Sequence, residues 1–145
     1  MRRGRIRLAA AALATGLVAN AALAEDAAPA RALLLELNAV EPSEKGCRLT
    51  FVVNNQLGAD LATAAFELAL FDLNGVVGRL AVLEFRDLPE GKTKVSRFDL
   101  AAVDCGNLSR ILVNDATQCT GQGVGAADCL RAMKTSSKAT IAFDK

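Results

Sequence analysis

Phe66-Glu67-Leu68-Ala69-Leu70-Phe71-Asp72, then Leu73-Asn74-Gly75, then Val76-Val77-Gly78-Arg79-Leu80-Ala81-Val82-Leu83-Glu84-Phe85: this stretch speaks most directly to the fold. Both arms are rich in apolar, β-compatible residues. The Asn-Gly pair between them is the strongest short hairpin signal, because a two-residue turn that matches strand twist needs positive φ at both central positions. Two antiparallel strands are therefore predicted over 66–85, with Asn74 and Gly75 at the centre of the turn.

Outward from this hairpin, apolar runs alternate with turn residues in both directions. Leu33, Leu35 and Leu37 alternate with Leu34, Glu36 and Asn38 in a first strand, which Glu41-Pro42-Ser43-Glu44-Lys45-Gly46 is expected to end. Leu49, Phe51 and Val53 mark a second strand with Cys47 at its start, broken by Asn54-Asn55-Gln56-Leu57-Gly58. After the hairpin, Pro89-Glu90-Gly91 is a turn, and Lys94 to Leu100 reads as a strand with Phe98 and Leu100 inward. Leu108 to Val113 gives another strand, which Asn114-Asp115 should terminate. Ala126 to Lys134 has the spacing of one or two helical turns, with Leu130 and Met133 on one side, and Ala139, Ile141 and Phe143 alternate in a last strand.

About seven short strands in roughly 110 residues predict an all-β fold, an immunoglobulin-like antiparallel β-sandwich with a short C-terminal helical turn. A small closed barrel is the runner-up. Aromatic core mass is thin: there are six Phe and no Trp or Tyr.

The N-terminus is basic at Arg2, Arg3, Arg5 and Arg7, apolar from Leu8 to Val18, and small at Ala22-Leu23-Ala24 before Glu25-Asp26. That order reads as a cleavable export signal over 1–24 rather than a retained anchor, since a spanning helix needs ~20 strongly apolar residues. General secretion is the favoured route. Arg2-Arg3 keeps the twin-arginine route open, although its flanking Ser is missing. Residues 25–30 form a flexible leader, and 31–145 a single domain, periplasmic or secreted. Without residues 1–24 the chain holds 13 Lys and Arg against 16 Asp and Glu, a net charge of −3 in place of +1. Its charges are scattered, which argues against nucleic acid or an anionic membrane surface as partner.

Cys47, Cys105, Cys119 and Cys129 all lie beyond the signal, and an even number in an exported chain points to two disulfides. Cys105 and Cys119 flank the apolar run at 108–113; an extended run holds them ~20 Å apart, far beyond the ~7 Å that a disulfide spans. Of the two remaining connectivities, Cys47–Cys105 with Cys119–Cys129 is preferred. On the chain-entropy account these loops contribute about 4.2 and 2.8 kcal/mol. A four-cysteine zinc site or redox pair is disfavoured, because no C-x-x-C occurs and the chain has no His.

Three further features of the sequence resemble the FxLYD group of bacterial exported immunoglobulin-like domains: Val52-Val53-Asn54-Asn55; the segment from Ala65 to Gly75; and Leu88-Pro89-Glu90-Gly91 followed by Arg97-Phe98-Asp99-Leu100. That group has an Asn-ended strand, an F-x-L-x-x-(Y/F)-D strand, a D-x-x-G turn and a P-x-G turn. The match covers roughly residues 48–100 and implies fold rather than activity. The cysteine-bearing C-terminal part looks more like a family of uncharacterised bacterial periplasmic proteins with an N-terminal export signal. Neither resemblance brings catalytic residues.

Chemical motifs are sparse. The lack of His removes the usual triads and the commonest general base near neutral pH. Gly121-Gln122-Gly123-Val124-Gly125 looks superficially like a phosphate loop, but it lies between two cysteines with no β-α-β unit around it. Asp72-Leu73-Asn74-Gly75 starts like a calcium loop, yet the later acidic ligand is absent. Asp99, Asp104 and Asp115 are the acids that a sandwich end would gather into a cation site, solvated loop acids being the plainer reading. No catalytic, cofactor or metal residue is assigned, and no cofactor is expected. The expected function is that of a non-enzymatic interaction or structural domain of the cell envelope with a protein partner. The alternatives are a small-ligand or metal-binding protein and, behind it, a histidine-free hydrolase.

Overall fold

The computed structural model describes residues 30–145. The expected export signal, and the leader apart from Ala30, lie outside the described residues. Eight strands are present among them: β1 (Ala32–Ser43), β2 (Gly46–Gln56), β3 (Leu61–Asp72), β4 (Val77–Leu88), β5 (Thr93–Ala101), β6 (Leu108–Gly121), β7 (Met133–Ser137) and β8 (Ala142–Asp144). A one-turn 3-10 helix, Cys105–Asn107, precedes β6, and α1 (Ala126–Ala132) follows it. The strands form two four-stranded sheets, β5-β2-β1-β7 and β4-β3-β6-β8, packed face to face as an all-β sandwich.

Period-two burial explains the layers. β1 turns Leu33, Leu35 and Leu37 inward; β2 contributes Cys47, Leu49, Phe51 and Val53; β3 contributes Ala64, Phe66, Leu68 and Leu70. Five of the six Phe meet between the sheets, with Phe51 5.7 Å from Phe85 and 5.5 Å from Phe143, and Phe85 5.0 Å from Phe98. Phe66 joins them at 6.0 Å from Phe85, so the few aromatic rings are concentrated in one inter-sheet cluster.

Several boundaries differ from expectation for identifiable reasons. β1 does not stop at Glu41 but continues through Pro42 to Ser43, leaving a turn of Glu44 and Lys45. Pro42 is tolerated because β7 pairs only with Leu33–Leu37, so this part of β1 lacks a ladder partner on that side. β2 likewise extends through Asn54 and Asn55 to Gln56. β6 runs on past Asn114 and Asp115 for 14 residues in all, its register against β3 shifting at Ala65/Phe66 and again at Glu67/Leu68. The hairpin loop is Leu73-Asn74-Gly75-Val76, with positive φ at Gly75 (76°) but not at Asn74. The Asp72 carboxylate accepts from the Asn74 and Val76 amides at 2.8 and 2.9 Å and holds the wider turn.

The largest departure is C-terminal. Met133 to Ser137, part of which was expected to be helical, forms β7 and runs parallel to β1; β8 runs parallel to β6 and spans only Ala142–Asp144. The count is thus eight strands rather than seven, with antiparallel pairing elsewhere. Lys134-Thr135-Ser136-Ser137 is poor in strong helix formers, and the Met133 side chain is buried in the core, so the chain straightens there.

The disulfides join Cys47 to Cys105, Cα atoms 5.1 Å apart, and Cys119 to Cys129, 6.4 Å apart. The first ties β2 to the crossover that carries the chain into the other sheet. The second clamps α1 onto β6, and it does so from within a strand rather than from a loop. Two disulfides suit an oxidising, extracytoplasmic environment, and among the described residues no helix is long and apolar enough to cross a membrane.

Candidate functional site

The acids singled out from the sequence are not brought together. Asp99 makes a two-point ion pair with Arg48 at 2.9 and 3.1 Å across β5 and β2, and this hydrogen-bonded guanidinium holds the Asp99 carboxyl below the usual range. Asp104 accepts from the Gly106 amide at 2.8 Å and caps the 3-10 turn, while Asp115 lies within β6 opposite Glu67. Among the described residues no three or more His, Cys, Asp or Glu side chains are placed to hold a metal ion. Gly121 to Gly125 forms a tight link in which Gly121 bridges Val124 and Gly125 precedes α1. There the Gly125 amide, and then Arg131, lower the pKa of Asp128. A cleft of about 180 Å³ beside Arg79, Asp72 and Asp104 is small, and both carboxylates are already engaged by backbone amides.

The sheet edges are more distinctive. A sandwich has four edge strands, each presenting unpaired peptide groups, and proteins normally blunt them with short length or charge. Here β7 has five residues and β8 three. β5 carries Lys94, Arg97 and Asp99. β4 is different: it is 12 residues long and lies at the end of its sheet, and its middle reads Leu80-Ala81-Val82-Leu83. Leu83 and Phe85 point into the core, while Leu80 and Val82 on the opposite face are 54% and 55% exposed. Of the six large hydrophobics most exposed among the described residues, five belong to β4 or its hairpin turn: Leu73, Val76, Val77, Leu80 and Val82.

The ends of this edge are closed. Lys94 Nζ donates to the carbonyls of Arg86 and Asp87 at 2.8 and 3.0 Å, and Asp87 adopts a left-handed φ of 51° that bends the strand away. At the other end, the Arg79 guanidinium donates to the Ala101 carbonyl of β5. Because the Arg86 carbonyl faces away from β3, the period-two ladder puts the peptide groups of Leu80, Val82 and Glu84 on the same open side. The outward side chains continue as a row, with Leu80 opposite Ala69 of β3 and Ala69 opposite Leu112 of β6. The open segment thus combines free donors and acceptors with an apolar surface, which is what strand addition by another polypeptide requires.

No protein-family model, curated protein or solved structure matches the chain. The β4 edge was missed as a site in the sequence reading, which saw only the second arm of a hairpin. A signal existed: the apolar residues Val76, Val77, Leu80, Ala81, Val82 and Leu83 occupy both phases of the strand, whereas a strand with one solvated face alternates.

Proposed function

We propose that the protein is a non-enzymatic interaction domain of the cell envelope, exported by its N-terminal signal and presenting the open edge of β4 to an extended segment of a protein partner. The observation that carries this reading is the contrast among edges: two are only three and five residues long and β5 spreads its charges along its length, whereas the 12-residue β4 keeps its charges, Arg79, Glu84, Arg86 and Asp87, to either side of an apolar middle, Leu80 to Leu83, whose outward side chains are exposed. A likeness to FxLYD-type immunoglobulin-like domains accords with it. Phe66 to Asp72 lies in the C-terminal part of β3, and the D-x-x-G and P-x-G sequences flank β4. The disulfides supply rigidity, so that strand addition costs little reorganisation of the scaffold.

The test is site-specific photo-cross-linking in intact cells of the chain carrying its own N-terminus. A photoreactive residue at Val82 should give a discrete adduct with a second polypeptide, identified by mass spectrometry, whereas one at Val95, equally exposed on β5, should not. Absence of an adduct at Val82, or equal labelling from both positions, refutes the edge as the interaction surface. The mature species should begin at Glu25.

A further inference from the structure

Resting on the β4 edge as the interaction surface, we propose that the strand which fills it is β4 of a second copy of this chain, paired antiparallel about a two-fold axis through Ala81. The open segment is short and bounded. Gly78 at the register shift opposite Leu70 and Phe71, together with the Arg79 bond to Ala101, limits one end, and the Lys94 cap and the Asp87 bend close the other, so pairing can reach from Gly78 to Glu84 at most. A self-paired segment of this length satisfies the free peptide groups of both copies at once, as an isologous interface requires.

The side chains select the register. Centred on Ala81, Leu80 of each copy lies opposite Val82 of the other, and both residues have peptide groups on the open side, so these are the hydrogen-bonded pairs. Ala81 then faces its twin in the non-hydrogen-bonded position, where the backbones approach most closely and a small side chain fits. Glu84 falls opposite Gly78, and no charge opposes a like charge. Centring on Val82 sets Leu80 against Glu84, centring on Leu83 sets Val82 against Glu84, and centring on Glu84 brings two carboxylates together. Centring on Leu80 leaves Val82 against Gly78. Only the Ala81 register places four apolar side chains together with the Glu84–Arg86 ion pairs at the rim. It also continues the Leu80, Ala69 and Leu112 row across the axis into one eight-stranded sheet. A seven-residue edge buries less than the ~800 Å² per partner of a standard interface, so the association is weak, with a dissociation constant on the order of 1–100 μM.

Sedimentation velocity of the exported, disulfide-intact chain over roughly three decades of concentration around that value should show the mass rising from one protomer to two. Leu80→Lys, at an outward and half-exposed position, should raise the dissociation constant at least ~100-fold, while Val95→Lys leaves it unchanged. Ala81→Cys should form an inter-chain disulfide between the two copies of residue 81, read by non-reducing peptide mapping, and Glu84→Cys should not. A single protomer mass at every concentration overturns the inference, and so does a dimer indifferent to Leu80→Lys. If the chain stays monomeric but Val82 still cross-links to a different envelope protein, the copy-to-copy pairing fails and the interaction reading stands. If both assays are negative, both fail.

Discussion

Removing the Asn55 side chain should cost far more than removing that of its neighbour Asn54, although sequence alone does not separate them. Asn55 is fully buried at the end of β2, and its amide nitrogen donates to the carbonyls of Ala59 and Leu88, each at 2.8 Å. Its side-chain oxygen accepts from the Leu57 amide at 3.1 Å. One side chain thus joins the crossover out of β2 to the end of β4, and its backbone adds bonds to Lys92 and Gly91 in the next turn. In Asn55→Ala, the Leu57 amide and the Leu88 carbonyl lose partners within buried surroundings. At about 2 kcal/mol for each orphaned group, with Ala59 rehydrated, the loss is about 4 kcal/mol, a large share of the ~5–15 kcal/mol that holds a domain together. Asn54 instead bonds Thr93 at 2.9 Å on the exposed face, so Asn54→Ala should cost less than ~1 kcal/mol. Asn55→Asp should be at least as damaging as Asn55→Ala, because a carboxylate cannot donate to either carbonyl. Urea denaturation of the oxidised proteins, with m compared across variants, measures all three. Equal costs for Asn54→Ala and Asn55→Ala would refute the reasoning.

Three other outcomes follow from the same geometry. Replacing Cys47 and Cys105 together by Ala should destabilise by about 4 kcal/mol, and replacing Cys119 and Cys129 by about 3 kcal/mol, so the reverse order in chemical denaturation contradicts the loop-length argument. Because Arg48 depresses the pKa of Asp99, the stability this pair adds is present above the unfolded aspartate value of about 4 and is lost as pH falls through the lower folded value. Asp99→Asn should therefore melt earlier than the parent at neutral pH, with the gap closing in acid; a gap independent of pH would count against it. Gly46 has a φ of 148°, and a Cβ there would strike the Leu100 carbonyl and come within 2.9 Å of the Ala102 amide, whereas one at Gly75 meets nothing within 4 Å. Gly46→Ala should cost more than ~3 kcal/mol and Gly75→Ala about 1 kcal/mol, as thermal midpoints will report.

Residues with a local signal were readable, and those governed by distant partners were not. The alternation of Leu33, Leu35 and Leu37, and of Leu49, Phe51 and Val53, marks two strands correctly because one face of each meets the core. Distance narrowed the cysteine pairing from three connectivities to two, since the extended run at 108–113 keeps Cys105 from Cys119, and the preferred one of the two is the pairing present. Pro42 and Asn114-Asp115 misled because their effect depends on what lies alongside. Pro42 has no partner strand on one side, and the shifts against β3 absorb the turn-forming residues within β6. β7 was hidden because its single strong apolar anchor, Met133, fits a helix or a strand equally well until β1 supplies the ladder.

The same dependence on neighbours explains why the candidate site had no motif. An edge is defined by what fails to pair with it, and that follows from topology rather than from any residue type. Once β3 takes one side of β4 and the chain crosses to the opposite sheet at Pro89, the other side of β4 is left open; β5 returns close enough for Lys94 to cap only its end. Against that background Leu80 and Val82 change meaning. On a strand covered on both faces they would be ordinary core residues, but on an edge whose outer face is bare they keep apolar surface in water. From Leu80 to Leu83 the strand carries no charge; Arg79 on one side and Glu84, Arg86 and Asp87 on the other confine the apolar stretch. An exposed apolar edge on an exported protein invites aggregation unless a defined partner takes it, and the short, bounded segment between Arg79 and Arg86 restricts which strand can do so.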